Sequence, residues 1–201
     1  MANKIRNMMT AAVVAVAFSA GARPAAAGDV VWTIALHVDD HVNLNPAVRA
    51  IAEAEVTRIY AAAGVLVTWE DAPVDPSAPP DGLRRLAVVI VDAPANDLVA
   101  PSVAGLALRG TGRAYIYYER VIMAAYRNGR HAGSVLGMVI AHEIGHLLLP
   151  ENSHSPSGIM RDDLELKSML PREFTVRQSA MIRGNLQNAR VNLAAGLRAA
   201  R

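Results

Sequence analysis

The sequence contains no cysteine, and that absence removes several possibilities at once. No disulfide can staple the fold, and no thiolate can hold a metal. A cysteine-linked lipid anchor and a cysteine-based latency switch are excluded for the same reason. Stability must come from an apolar core, helped by any metal that is bound. With 201 residues, 52% of them hydrophobic, the chain is long enough for one domain with a sizeable core. A strong excess of charge is lacking too, since 20 basic residues face 18 acidic ones. Nothing in that balance resembles a nucleic-acid footprint.

A membrane-length apolar run is also missing. The N-terminal apolar run, Met8 to Ala20, is soon followed by Arg23 and Pro24 and is too short for a spanning helix. Lys4 and Arg6 precede it, and Ala25-Ala26-Ala27 offers a small-residue cleavage site before Gly28. This pattern predicts a secretory signal peptide over residues 1–27 and a single mature domain over 28–201. The mature chain is then expected outside the cytoplasm, secreted or periplasmic, with no stable membrane anchor after cleavage. Lys4, Arg6 and Arg23 leave with the leader and no acid does, so the mature part has a formal charge of −1.

Along the mature chain, Asp29 to Val38 is rich in β-branched residues and reads as a strand. Asn45-Pro46 supplies a helix cap and a first-turn proline, and Gly64 closes that helix. Val65 to Trp69 is a second strand, and Leu86 to Val91 reads as a strand buried on both faces. Gly105 to Arg109 and Arg113 to Val121 are two more strands, with Gly110-Thr111-Gly112 as the turn between them. Ser134 to Leu149 is a strongly apolar helix stopped by Pro150. Thr175 and Gln178 form a capping-box pattern that opens a last helix running to about Gly196. The order strand, helix, four strands, helix, loop, helix predicts an α+β, or mixed α/β, fold.

Inside the apolar helix stands His142-Glu143-Ile144-Gly145-His146, an HExxH motif. Residues four apart share a helix face, so both imidazoles can reach one metal ion. Two histidines and a glutamate among so many apolar side chains would be costly to bury without a partner. Zn²⁺ is the expected cofactor. Glu143 lies at the edge of the same site, where a carboxylate can take a proton from water that the metal has acidified. A catalytic zinc commonly has three protein ligands and one open position. His154 is the favoured third ligand, because its short loop follows the motif directly. Glu151, Asn152, Asp162, Asp163, Glu165 and Glu173 are the rivals. Met160, six residues beyond His154, either lies beneath the metal site or is an ordinary core methionine.

His142-Glu143-Ile144-Gly145-His146-Leu147-Leu148, His154 and Ser157-Gly158-Ile159-Met160 together resemble the metzincin clan of zinc peptidases, closest to its small matrixin-like bacterial members. The resemblance implies a twisted mixed sheet of about five strands, an active-site helix and a C-terminal helix. It makes His142, His146 and His154 the zinc ligands, Glu143 the general base and Met160 the Met-turn methionine. It also makes the strand near Gly105 to Arg109 an exposed edge that pairs with substrate backbone. The chain departs from the clan pattern in three places. Leu149 stands where a glycine usually breaks the helix, Asn152 stands where the third histidine usually lies, and Arg161 follows Met160 where some members have a tyrosine.

The function expected on this basis is hydrolysis of peptide bonds by an exported zinc metalloendopeptidase acting as a monomer on peptide or protein substrates. Another zinc hydrolase on the same scaffold (an exopeptidase or a cell-wall amidase) is the main alternative, and a non-catalytic zinc-containing binding domain the other. Elsewhere, His37 and His41 beside Asp39 and Asp40 are read as a strand-end loop rather than a second metal site. His131 is expected to be exposed, and Tyr115 and Tyr117 to serve packing. The arginines of the last helix are read as a solvated face.

Overall fold

The computed structural model describes residues 32–71, 83–95, 99–100, 102–162 and 172–199. The expected leader, residues 1–27, lies outside the described residues. The elements run β1 (Trp32–Asp40), α1 (Pro46–Ala62), β2 (Val65–Glu70), β3 (Arg84–Val91), β4 (Gly105–Leu108), β5 (Arg113–Tyr117), α2 (Tyr118–Arg127), α3 (Ala132–Leu148) and α4 (Val176–Ala199). One five-stranded sheet has the order β2-β1-β3-β5-β4. Its first four strands are parallel neighbours, and β4 pairs antiparallel with β5 at the edge. This is the mixed α/β architecture expected, with five strands.

The order follows from the local chemistry. The Asn45 side chain accepts from Ala47 N–H and Pro46 fills the first turn, so α1 starts where the chain leaves β1. The helix then carries the chain back to lay β2 parallel to β1. Val88, Val89 and Ile90 of β3 are buried, as a central parallel strand requires. Thr175 and Gln178 exchange backbone-to-side-chain hydrogen bonds at the start of α4, which completes the capping box.

One element departs from expectation. The strand expected over Arg113 to Val121 stops at Tyr117, and α2 begins at Tyr118. Val121 and Ala125, four apart, are its buried positions, and Ala124-Ala125 favours helix. The β-rich run of tyrosines before it obscures that period. Tyr117 is buried, in keeping with packing, and His131 is exposed but also caps α3, its Nδ1 accepting from Gly133 N–H. Of the α4 arginines, Arg177 is solvated, whereas Arg183 donates to Ala63 O and Arg190 lies over the Trp32 ring.

Helix α3 is the centre of the molecule. It is buried along nearly its whole length and packs against α1, α2, β4 and β5. Small residues at Gly133, Gly137, Ala141 and Gly145 mark one row of it. At Gly137 an added Cβ would lie 2.7 Å from both Ala52 O and Glu55 Cβ of α1. At the next step of the row, buried Tyr60 donates its hydroxyl to Ala141 O at 3.1 Å. The two helices therefore meet almost backbone to backbone.

This seam makes a prediction. Alanine in an exposed helix gains roughly 1 kcal/mol over glycine. Gly137→Ala should instead destabilise the protein by about 1–3 kcal/mol, because α1 must move to admit the methyl group. Gly184→Ala, which meets nothing within 4 Å in α4, should be neutral or stabilising. Urea unfolding of both variants checks the contrast, and equal effects would refute the close seam.

Candidate metal centre

His142 and His146 stand one turn apart on α3, and the chain leaving that helix brings His154 back to them. The ligand atoms of the three imidazoles all lie within 4.8 Å of one another. Among the described residues no other group of three histidine or acidic side chains is placed to hold a metal. Nε2 of His142 and Nε2 of His146 are 3.0 Å apart, with the rings nearly perpendicular at 80°. Two nitrogens bound tetrahedrally to one zinc, about 2.1 Å from each, would sit about 3.4 Å apart. That pair thus fits Zn²⁺ with little adjustment, and His154 converges on it.

Each ring is oriented from behind. Nδ1–H of His142 donates to Ile159 O at 2.8 Å, which leaves the Nε2 lone pair facing the cluster. Nδ1 of His154 lies 2.6 Å from Asp162 Oδ1, so its other nitrogen is also left for the cluster. Nδ1 of His146 has Ser153 Oγ at 3.4 Å. Burial lowers the pKa of His142, and the hydrogen bond that its ring donates to Ile159 O opposes this. Burial and then the neighbouring imidazoles lower His146 to about 3. Both rings are held neutral at physiological pH, the state a metal requires.

Glu143 is buried beside His142. Desolvation pushes its carboxyl pKa up to about 7, opposed by a backbone hydrogen bond from Ala107 of β4. Gly105 of β4 comes so near that an added Cβ would lie 2.6 Å from Glu143 Cγ and 2.9 Å from Oε1. The edge strand therefore covers the carboxylate at contact distance. Between β4 and α3 opens a cleft of about 800 Å³, which reaches Arg109 and Asp162 and contains His142, Glu143, His146 and His154.

Met160 is fully buried and packs against α3 between the two histidine turns, where a Cβ at Gly145 would lie 2.5 Å from its Sδ. Among the rival ligands, Asp162 contacts the back of His154, Glu173 pairs with Arg58 at 3.5 Å, and Glu151 and Asn152 line the cleft. Asp163 and Glu165 lie outside the described residues. Asn152 adopts a left-handed conformation with φ 54°, which lets the loop turn without glycine. His37 bonds Glu70 O and His41 pairs with Asp39, so that region is a strand-end loop. Sequence reasoning missed Asp162 as a histidine partner, as well as Gly105 and Arg109, whose roles depend on contacts across the fold.

Among solved structures, the fold resembles archaemetzincin from Methanopyrus kandleri, with a TM-score of 0.51 and 16% identity over 77% of this chain and 96% of that one. A zinc-dependent peptidase from Methanocorpusculum labreanum also matches, with a TM-score of 0.43 and 15% identity over 76% of this chain and 99% of that one. No family model matches the chain, and no curated protein does. Fold and site together define a mixed α/β scaffold of the kind seen in archaemetzincin, carrying a three-histidine cluster that suits zinc.

The electrostatics predict how the metal-free protein responds to acid. The folded state keeps His146 neutral down to about pH 3, while the unfolded chain protonates it near pH 6.5. Between those values the unfolded state binds more protons, so His146 contributes stability that is full above the higher pH and lost as pH falls. Glu143, shifted upward, acts in the opposite sense between about 4.5 and 7. His146→Gln should therefore flatten the loss of stability on acidification relative to the parent. Urea titrations of chelator-treated protein at several pH values test this; parallel curves would contradict it.

Proposed function

We propose that the protein is an exported zinc-dependent metalloendopeptidase of the metzincin clan, matrixin-like in its small single domain. The observation that carries this reading is the placement of a buried carboxylate, Glu143, beside three converging imidazoles and under β4, the edge strand of the sheet among the described residues. His142, His146 and His154 would hold the metal. Bound zinc supplies a Lewis acid that polarises a carbonyl and acidifies water. Glu143 then acts as the general base: it takes the proton from attacking water and returns it to the leaving amine. Its burial raises its proton affinity towards neutrality, and the charge of a bound cation draws it down again, which keeps the carboxylate available.

The edge strand supports a peptide substrate. β4 uses one side to pair with β5, and the cleft runs beside Ser102 to Ala107. An extended chain can add to such an edge by backbone hydrogen bonds, which would bring its carbonyls into the cleft that holds the three histidines. Leu106 and Leu108 project as exposed apolar side chains along it. A cleft that follows a strand favours binding inside a polypeptide over capture of a terminus. Export rests on the leader pattern over residues 1–27. No described helix is long and apolar enough to cross a membrane. The proposed partner is a peptide or protein rather than a nucleic acid, and the proposed state is a monomer.

A peptide-library digest with residues 28–201 tests the activity. Cleavage should stop with chelator and return with zinc. Glu143→Gln should lower kcat by about 10²–10⁴ while zinc stays bound. Undiminished turnover by that variant would remove Glu143 as base, and release of terminal residues only would favour an exopeptidase. Gly105→Ala probes the covered base more gently. The end of the Glu143 side chain can yield to the new methyl group, so zinc affinity should persist while kcat falls about 10²-fold. Unchanged kcat would show that the edge strand does not hold the base in place.

A further inference from the structure

We infer that Gln178 of α4 is a positioning residue for the third metal ligand, His154. The inference rests on the proposed role of the three histidines and adds a residue to it. Gln178 is buried, at 6% exposure, and every polar atom of its amide is engaged. Oε1 accepts from Thr175 N–H at 3.0 Å, which is the capping box. Nε2 donates to Ser153 O at 3.0 Å and to Ser155 Oγ at 3.1 Å. Those two residues flank His154 directly, so one amide grips the chain on both sides of the ligand.

The grip matters because His154 is otherwise the least constrained of the three. His142 and His146 are fixed by the helix that carries them, whereas His154 is an exposed residue on an irregular loop. Ser155 extends the tether inward: its N–H donates to Met160 O at 2.9 Å and its hydroxyl to Ser157 O at 2.8 Å. The start of α4, the ligand loop and the Met160 turn are thereby joined through Gln178. An ion that needs three ligands in one geometry gains affinity when the third is held ready, because less ordering remains to be done on binding.

Gln178→Glu separates this role from helix capping. Glutamate serves the capping box as well as glutamine does, but it replaces the Nε2 donor with an acceptor that faces Ser153 O. Zinc affinity, measured by competition with a chromogenic chelator at about pH 8, well above the ordinary glutamate range, should fall by about 10–100-fold. In a His154→Ala background the same substitution should cause no further loss. Ser155→Ala, which leaves α4 untouched, should give a smaller drop that also vanishes in that background. A parent protein that binds no zinc would overturn the metal-site reading itself. Zinc binding by the parent with full affinity in Gln178→Glu, or equal losses with and without His154, would overturn the positioning role alone.

Discussion

The structure depends on one constraint: a helix buried on nearly every side carries two imidazoles and a carboxylate in its interior. Apolar surroundings charge heavily for such groups unless each finds a partner. The rest of the fold supplies those partners. Ile159 O takes the outward N–H of His142, β4 brings Ala107 and Gly105 against Glu143, and Ser153 approaches the back of His146. The remaining demand, three lone pairs converging on one point, is what a metal ion satisfies. Burial also sets the protonation states. It keeps His142 and His146 neutral and raises the Glu143 carboxyl towards neutrality, so one physical cause tunes all three groups of the helix.

Close packing makes that arrangement rigid. The row of small residues on α3 lets α1 sit against the helix backbone, and its last member, Gly145, admits the Met160 thioether beneath the histidines. Tyr60 connects both ends of this layer. Its hydroxyl bonds Ala141 O, and its ring meets Phe174 at 5.1 Å, just ahead of the capping box that starts α4. The site is thus framed by α1 and the Met160 turn below and by the edge strand above.

Much of this was legible in the sequence because it is written in local periods. HExxH places two rings by helical geometry alone, and Asn45-Pro46, Pro150 and Thr175 with Gln178 mark helix ends by chemistry that acts over a few residues. The strands β1, β2 and β3 follow from β-branched runs. What was not legible depends on distance in space. α2 escaped because Tyr115, Tyr117 and Tyr118 extend a β-like run into its first turn, while its burial at Val121 and Ala125 is set by contact with α3. Asp162 is visible as an acid near the motif, but only the fold shows it behind His154 rather than on the metal side. Gly105 carries no sequence mark of its contact with Glu143.

The turn after α3 is built differently from the metzincin pattern that the sequence resembles. Where a glycine would break the helix, Leu149 leaves it in extended conformation with its side chain fully buried, so the position contributes to the core instead of to flexibility. A β-branch-free apolar residue can do this only if the freed carbonyls find donors. Arg109, from the turn after β4, donates to Leu149 O and to Pro150 O, and Asn185 of α4 donates to Leu148 O. Asn152 then takes the left-handed step that reverses the chain. The two extra residues before His154 accommodate Pro150 and that reversal, and Ser153 and Ser155 give the lengthened loop its hydrogen bonds to Gln178. The longer path returns the third imidazole to the same cluster because side chains from the turn after β4 and from α4 hold the carbonyls that the helix end leaves open.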